Sequence, residues 1–304
     1  VNGNTLTNNQ IGVQFQEGND GYPGDSDQNA SNAFFSRGNT PFSCLLLGSN
    51  TNSGNGTDFM SVTNPASANV SADVHDTTNG TFFCSIQSAI HAATTNPGDS
   101  LVADPGTYAE NVVVDKSVTL RGPFVGTAGY DGSRDGTGEA MISPATGVAL
   151  TLAASNAVVD GFSISISSGV AVQPGGVTRD NMQFINNRVV NIPNGVGIRF
   201  EPGEGTPASG FAISGNLFAD IAGTGTNGTA IELYKGTRNA TVSDNHFDSV
   251  QQIALQANGG NGTVQGLNVT GNVVRDPDAV SPANAFVVTK VSNAVMQGND
   301  LQGI

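Results

Sequence analysis

Apolar and polar positions in the second half of the chain repeat with a long period. The order is apolar, any residue, Gly/Asp/Asn, Asn, any residue, apolar. It occurs as INNRV (185–189), ISGNLF (213–218), VSDNHF (242–247), VTGNVV (269–274) and VMQGNDL (295–301). The repeated asparagines are Asn187, Asn216, Asn245, Asn272 and Asn299, so the steps are 29, 29, 27 and 27 residues. Between them lie short alternating runs at 197–200, 230–233, 252–255 and 285–288. Alternation with period 2 is the mark of a strand with one buried face. A strand-bearing repeat of this length predicts one coil of a parallel β-helix. Leucine-rich repeats need a Leu pattern that is missing, and helical repeats need a 3.6-residue period that is also missing. Stacked coils would align Ile198, Ile231, Ile253 and Phe286 in one core column. Phe200, Leu233, Leu255 and Val288 would form a second. The five asparagines would form a hydrogen-bonded ladder at a turn, with rungs about 4.8 Å apart.

The start of the solenoid is legible too. Ile86, Ala89, Ile90 and Ala93 fall on one helical face and Ser85 is a plausible N-cap, which predicts a short helix over 85–93. Strands follow at 100–103, 111–114 and 117–122, around the turn Asp104-Pro105-Gly106-Thr107-Tyr108. The run SIQSAIHAATTNPGDSLVADPGTYAENVVVDKSVTLRGP resembles the opening of the pectin-lyase-like superfamily of right-handed parallel β-helix proteins. That group includes pectin methylesterases, pectate lyases, alginate epimerases and many bacterial surface proteins. With Val158-Val159-Asp160-Gly161-Phe162-Ser163-Ile164 and the asparagine repeats, the resemblance covers roughly 82–304. It implies an all-β, right-handed parallel β-helix (solenoid) with a short N-terminal capping helix. One fold hosts many chemistries, so activity does not follow from it.

Residues 1–35 read as a β-helix-like half-coil extension, and 36–81 as a loop-rich linker or flap. Residues 1–15 match the pattern of 242–255, yet precede the capping helix, while the pattern stops at 304 without its second strand. The sequence therefore fits a segment of a longer protein, an N-terminal coil folded back on the far end, or stacking of subunits head to tail. In the last case Val1, Leu6, Ile11, Val13 and Phe15 of one chain would meet Val295, Leu301 and Ile304 of the next, protecting an open edge by strand addition.

Composition narrows the setting. Charged residues make up 12% of the chain and the formal charge is −14, which argues against binding a phosphate backbone. No apolar run approaches the roughly 18 residues of a membrane span. Two cysteines in so polar a chain read as one disulfide, Cys44 to Cys84. Sequons at Asn29, Asn55, Asn69, Asn79, Asn227, Asn239, Asn261 and Asn268 fit an exported, extracellular or cell-surface protein.

Candidate chemistry is sparse. Gly106-Thr107-Tyr108-Ala109-Glu110 matches a turn of the pectin methylesterases, but the paired aspartates their chemistry needs are missing. A uronate lyase or epimerase needs a cation for the sugar carboxylate and an acid–base group. Arg199 should stack on Glu232 and Glu201 on Tyr234, with Lys235 one residue beyond. The competing reading is an exposed ion pair. His246 sits between Asp244 and Asp248. Two acidic glycine-rich loops, one with Asp20, Asp25 and Asp27 and one over 131–139, have oxygen donors of the kind Ca²⁺ takes. The leading expectation is a structural or adhesive β-helix that assembles end to end into a filament or sheath. The alternatives are a lyase or epimerase on acidic polysaccharide, or a non-catalytic carbohydrate-binding module.

Overall fold

The computed structural model describes residues 74–83, 85–175, 179–224, 227–275 and 284–302, and the backbone of short strands between Thr5 and Ser71. Cys44, Cys84, Asp20, Asp25, Asp27, Val1, Leu6, Ile11, Val13, Phe15, Ile304, Asn29, Asn55 and Asn69 lie outside those residues or only on such backbone.

The chain coils into a parallel β-solenoid. The first sheet has 10 strands; eight run parallel from Ser100–Ala103 to Val295–Gln297. The other two, Val74–Asp76 and Thr81–Phe83, continue it antiparallel, so residues the sequence assigns to the flap join the solenoid's first sheet. The second sheet has 8 strands, from Gly106–Tyr108 to Asp300–Gln302, and the third has 7, from Val112–Val114 to Asn284–Thr289. Inward positions stack without a break. Leu120, Val159, Phe184, Ile213, Val242 and Val269 form the column of the first sheet. Val189, Phe218, Phe247 and Val274 form that of the second. The rings of Phe218 and Phe247 stack with centroids 5.2 Å apart.

The third sheet corrects both expected columns. Ile198 and Ile231 do pair, but the next coil contributes Leu255, and Ile253 pairs with Thr229. Phe200 and Leu233 are likewise followed by Ala257. The run 252–255 is only the front of a longer strand, Ile253–Asn258, and an alternating pattern fixes face but not which pair of residues leads.

The asparagine ladder forms as the spacing predicts. Asn187 Oδ1 accepts the Phe162 N–H at 2.9 Å, and each later Oδ1 accepts the backbone N–H of the ladder asparagine one coil earlier: Asn216 from Asn187 at 2.8 Å, and Asn245, Asn272 and Asn299 from Asn216, Asn245 and Asn272 at 3.0 Å. Each Nδ2 donates to a strand carbonyl of the first sheet, as Asn245 does to Ile213 at 2.9 Å. The residue before each rung has positive φ: Asn186 at 53°, Gly215 at 67°, Asp244 at 54°, Gly271 at 65° and Gly298 at 64°. This is why the motif reads Gly/Asp/Asn before Asn, the residues that tolerate the left-handed region best.

Helix α1, Ile86–His91, is shorter than the expected 85–93. Ser85 caps it, accepting from the Ser88 N–H at 3.0 Å. Glu110, the acid of the Gly-x-Tyr-x-Glu run, accepts the Ile86 and Gln87 N–H groups at 2.8 and 2.9 Å. Lys116 Nζ closes the other end on the carbonyls of Ala92 and Thr95. A carboxylate at the first turn and an ammonium beyond the last match the helix dipole, so this motif has a structural task here. Glu110→Ala is therefore expected to lower stability by about 1 kcal/mol, the scale of a lost helix cap, with α1 amides exchanging faster than those of the ladder.

Candidate functional site

Outward positions of the third sheet carry the predicted strip. Arg199 pairs in register with Glu232, and its Nε donates to Glu232 Oε2 at 2.5 Å. Glu232 is fully buried, whereas the Arg199 side chain keeps 32% of its surface exposed. The exposed-pair reading does not describe this contact. Burial alone would lower the Arg199 pKa, but the hydrogen bond and charge of Glu232 outweigh it and raise it. The other oxygen, Glu232 Oε1, is buried without a hydrogen-bond partner. Tyr234 stands two residues on, on the same face of the strand. Its pKa is raised, first by burial and then by the Glu232 charge, so the phenol stays protonated at neutral pH. Glu201 is exposed and contributes to the field at both Arg199 and Tyr234. Arg199, Glu232, Tyr234 and Glu201 thus share one neighbourhood, and no described contact brings Lys235 into it.

A second cluster lies on the second sheet and joins His246 to the loop that holds the acidic stretch 131–139. Loop 122–139 leaves the first sheet at the corner where the ladder begins and folds back over its first rungs. Arg134 and Glu139 pair at 2.7 Å with side chains 0% and 2% exposed. Arg134 also donates to the carbonyls of Asn186 and Phe162 and lies over the Phe124 ring. The loop backbone sits so close that a Cβ on Gly129 would lie 2.2 Å from the Asn187 oxygen. The clamp lays Tyr130 flat on His246, with centroids 3.5 Å apart and planes 6° apart. The His246 pKa is lowered, by burial first and then by Arg275, with Asp248 opposing.

The sign of that shift gives a pH prediction. The folded protein holds the His246 proton less tightly than the unfolded chain, so this stabilisation is full above the ordinary value of 6.5 and is lost as pH falls below it. Melting temperatures from pH 8 to pH 5 should decline less steeply for His246→Phe, which keeps the stacking, than for the parent. Parallel curves would refute this.

The acidic residues of 131–139 are committed locally. Asp131 accepts from both the N–H and hydroxyl of Ser133, and Asp135 from those of Thr137, which lowers both carboxyl pKa values. Among the described residues, no group of three His, Cys, Asp or Glu side chains could hold a metal ion. The sequon amides differ in setting. Asn79 Nδ2 is bonded to Asp76, Asp99 and Thr94, and Asn227 and Asn239 bond across coils to Asn194 and Ser209. Asn261 is exposed on a turn, and Asn268 is half-buried on a strand. No helix among the described residues is long and apolar enough to cross a membrane.

No family model and no curated protein matches the chain. Among solved structures, the crystal structure of alginate lyase from Paenibacillus sp. str. FPU-7 matches with TM-score 0.38 and 16% identity, over 72% of this chain and 95% of that one. Likeness at that level assigns no substrate, and the solenoid stands on the strand pairings themselves.

Proposed function

We propose that the protein works outside the cell on an acidic polysaccharide, as a lyase or epimerase, with the outer strip of the third sheet as its site. One observation carries the reading: a surface guanidinium, Arg199, is held in place by a fully buried carboxylate, Glu232. Such anchoring fixes the direction of a charged group before a ligand arrives. The terminal nitrogens of Arg199 are suited to grip a uronate carboxylate with two parallel hydrogen bonds. That grip would acidify the adjacent C–H. Glu201 would take the proton, and Tyr234, kept protonated, would give one to the departing glycosidic oxygen. Glu232 is a positioning residue in this scheme.

The test is ultraviolet absorbance of unsaturated uronate, or a change of uronate stereochemistry, on pectate and alginate. Arg199→Ala and Tyr234→Phe should each lower kcat/KM by about 100-fold or more. Inactivity on both polymers, or full activity of Arg199→Ala, would overturn the assignment.

A second reading is self-association. Met296, Leu301 and Val288 continue the inward columns yet are 42%, 46% and 40% exposed, and Val295 beside them is 51% exposed. If the N-terminal coil of a second copy covers them, deletion of 1–16 leaves a folded monomer and removes filaments from electron micrographs. Filaments that persist after the deletion exclude that role.

A further inference from the structure

A cleft of about 820 Å³ lies at the corner between the second and third sheets, away from the Arg199 strip. Its polar lining includes Ser143, Ser165, Asn191, Asp220 and Ser249. Pro144, Pro193 and Ile166 supply apolar surface between them. The volume falls in the range of ordinary small-ligand sites.

Three of the polar residues form a column. Val190, Ala219 and Asp248 pair in register, as do Ile192, Ile221 and Val250, which places Asn191, Asp220 and Ser249 one above another. All three have left-handed backbones, with φ of 57°, 56° and 54°. Glycine suits that conformation best, and the other left-handed corners alternate it with Asn or Asp, as in Asn181, Gly210, Asn239 and Gly266. Here each of the three successive coils keeps a polar side chain instead. Neighbouring coils are about 4.8 Å apart, close to the advance of one pyranose residue along a linear glycan. A sugar chain lying along the solenoid axis would meet one polar group per residue.

We infer that this corner is a second carbohydrate site, and that its ligand is a neutral oligosaccharide. The charge of the lining decides the class. Among the described residues, Asp220 is its one charged residue and no Lys, Arg or His lines it, so a uronate, sulfate or phosphate would meet repulsion and no counter-charge from them. Hydroxyl, amide and carboxylate groups pair well with vicinal sugar hydroxyls. The exposed ring of Pro193 suits the C–H face of a sugar ring, while Pro144 and Ile166 are buried. Ser249 Oγ already donates to Asp248 at 3.2 Å, and Ser165 Oγ to the Asn191 carbonyl at 3.3 Å, so both hydroxyls are oriented.

The test is a titration of isotope-labelled protein with linear neutral oligomers of glucose, mannose and N-acetylglucosamine, and with an oligouronate. A neutral oligomer should shift the amide signals of Asn191, Asp220 and Ser249, and the oligouronate should not. Asp220→Gly with Ser249→Gly removes the side chains at positions where glycine fits the backbone, so the fold is kept. Affinity should fall by at least about tenfold. Arg199→Ala should bind the neutral oligomer as the parent does, which separates this site from the proposed lyase strip. Silent amides at all three positions up to about 10 mM would overturn the inference. So would a double glycine variant that binds normally, or an oligouronate that binds there as tightly as the neutral sugars.

Discussion

Replacing Asn245 with alanine is expected to remove about 3–6 kcal/mol of folding stability, as read by chemical denaturation. The side chain is fully buried. Its Oδ1 accepts from the N–H and Nδ2 of Asn216, at 3.0 and 2.9 Å. Its Nδ2 donates to Ile213 O at 2.9 Å and to Asn272 Oδ1 at 3.0 Å. Alanine offers none of these and leaves groups above and below without partners, where no water reaches. Each such orphan costs about 1–3 kcal/mol, and a domain has only about 5–15 kcal/mol to lose. Asn299→Ala is the control. Asn299 makes the same kinds of bond but is only half-buried, so solvent can replace part of what is lost. Its loss should be less than half as large. Equal losses at the two sites would mean that the turn, and not burial of the ladder, sets the cost.

The second large effect is expected from Glu139→Gln. This substitution keeps the shape but strips the charge from a pair buried on both sides. Breaking one side of such a pair costs about 3–5 kcal/mol, because the remaining charge is stranded. Arg188, which lies 4.0 Å from Glu139 and donates to the carbonyls of Gly129 and Arg134, would be left facing Arg134 without the acid between them. Loop 122–139 should loosen, and its amides should exchange faster than those of the ladder. Tyr130 would then leave the face of His246, and the histidine pKa should move back up toward 6.5. A loop whose exchange and a histidine whose titration both stay unchanged would show that the ion pair is not the clamp.

The two cases also mark what was legible beforehand. The ladder could be read because each rung is a local motif repeated at nearly constant spacing, with the reason for the preceding Gly, Asp or Asn visible in the backbone. The Arg199–Glu232 contact could be read because register carries one coil onto the next. What register could not give was burial: the sequence showed an ion pair, and only the packing showed that one partner is fully enclosed. The longer strand at 253–258 hid the two-residue shift that puts Leu255 where Ile253 was expected. The loop escaped for a different reason. Arg134, Glu139, Gly129 and Tyr130 find partners on other coils, Asn186, Arg188, Gly215 and His246, with no periodicity to announce them. A glycine-rich acidic stretch looked like a cation loop because its charges were visible and its partners were not. Glu110 was legible as part of a motif, but its bond to the start of α1 depended on how the first coil closes.

The ladder has a consequence for how such a chain can change length. Its steps differ, 29 against 27 residues, yet every rung stays in register. The difference is absorbed elsewhere. Two connections share it: the link from second to third sheet leaves two, seven and two residues (193–194, 222–228, 251–252), and the link from third sheet back to first leaves eleven, six and nine (201–211, 235–240, 259–267), so that together they leave 13, 13 and 11. The asparagine corner therefore acts as a ruler and the two other connections share the slack. A peptide grafted between Gly215 and Asn216 would pull a rung out of line and unseat its neighbours. The same peptide placed within 222–228 would hang from the rod as a side branch, while the coils above and below kept their count.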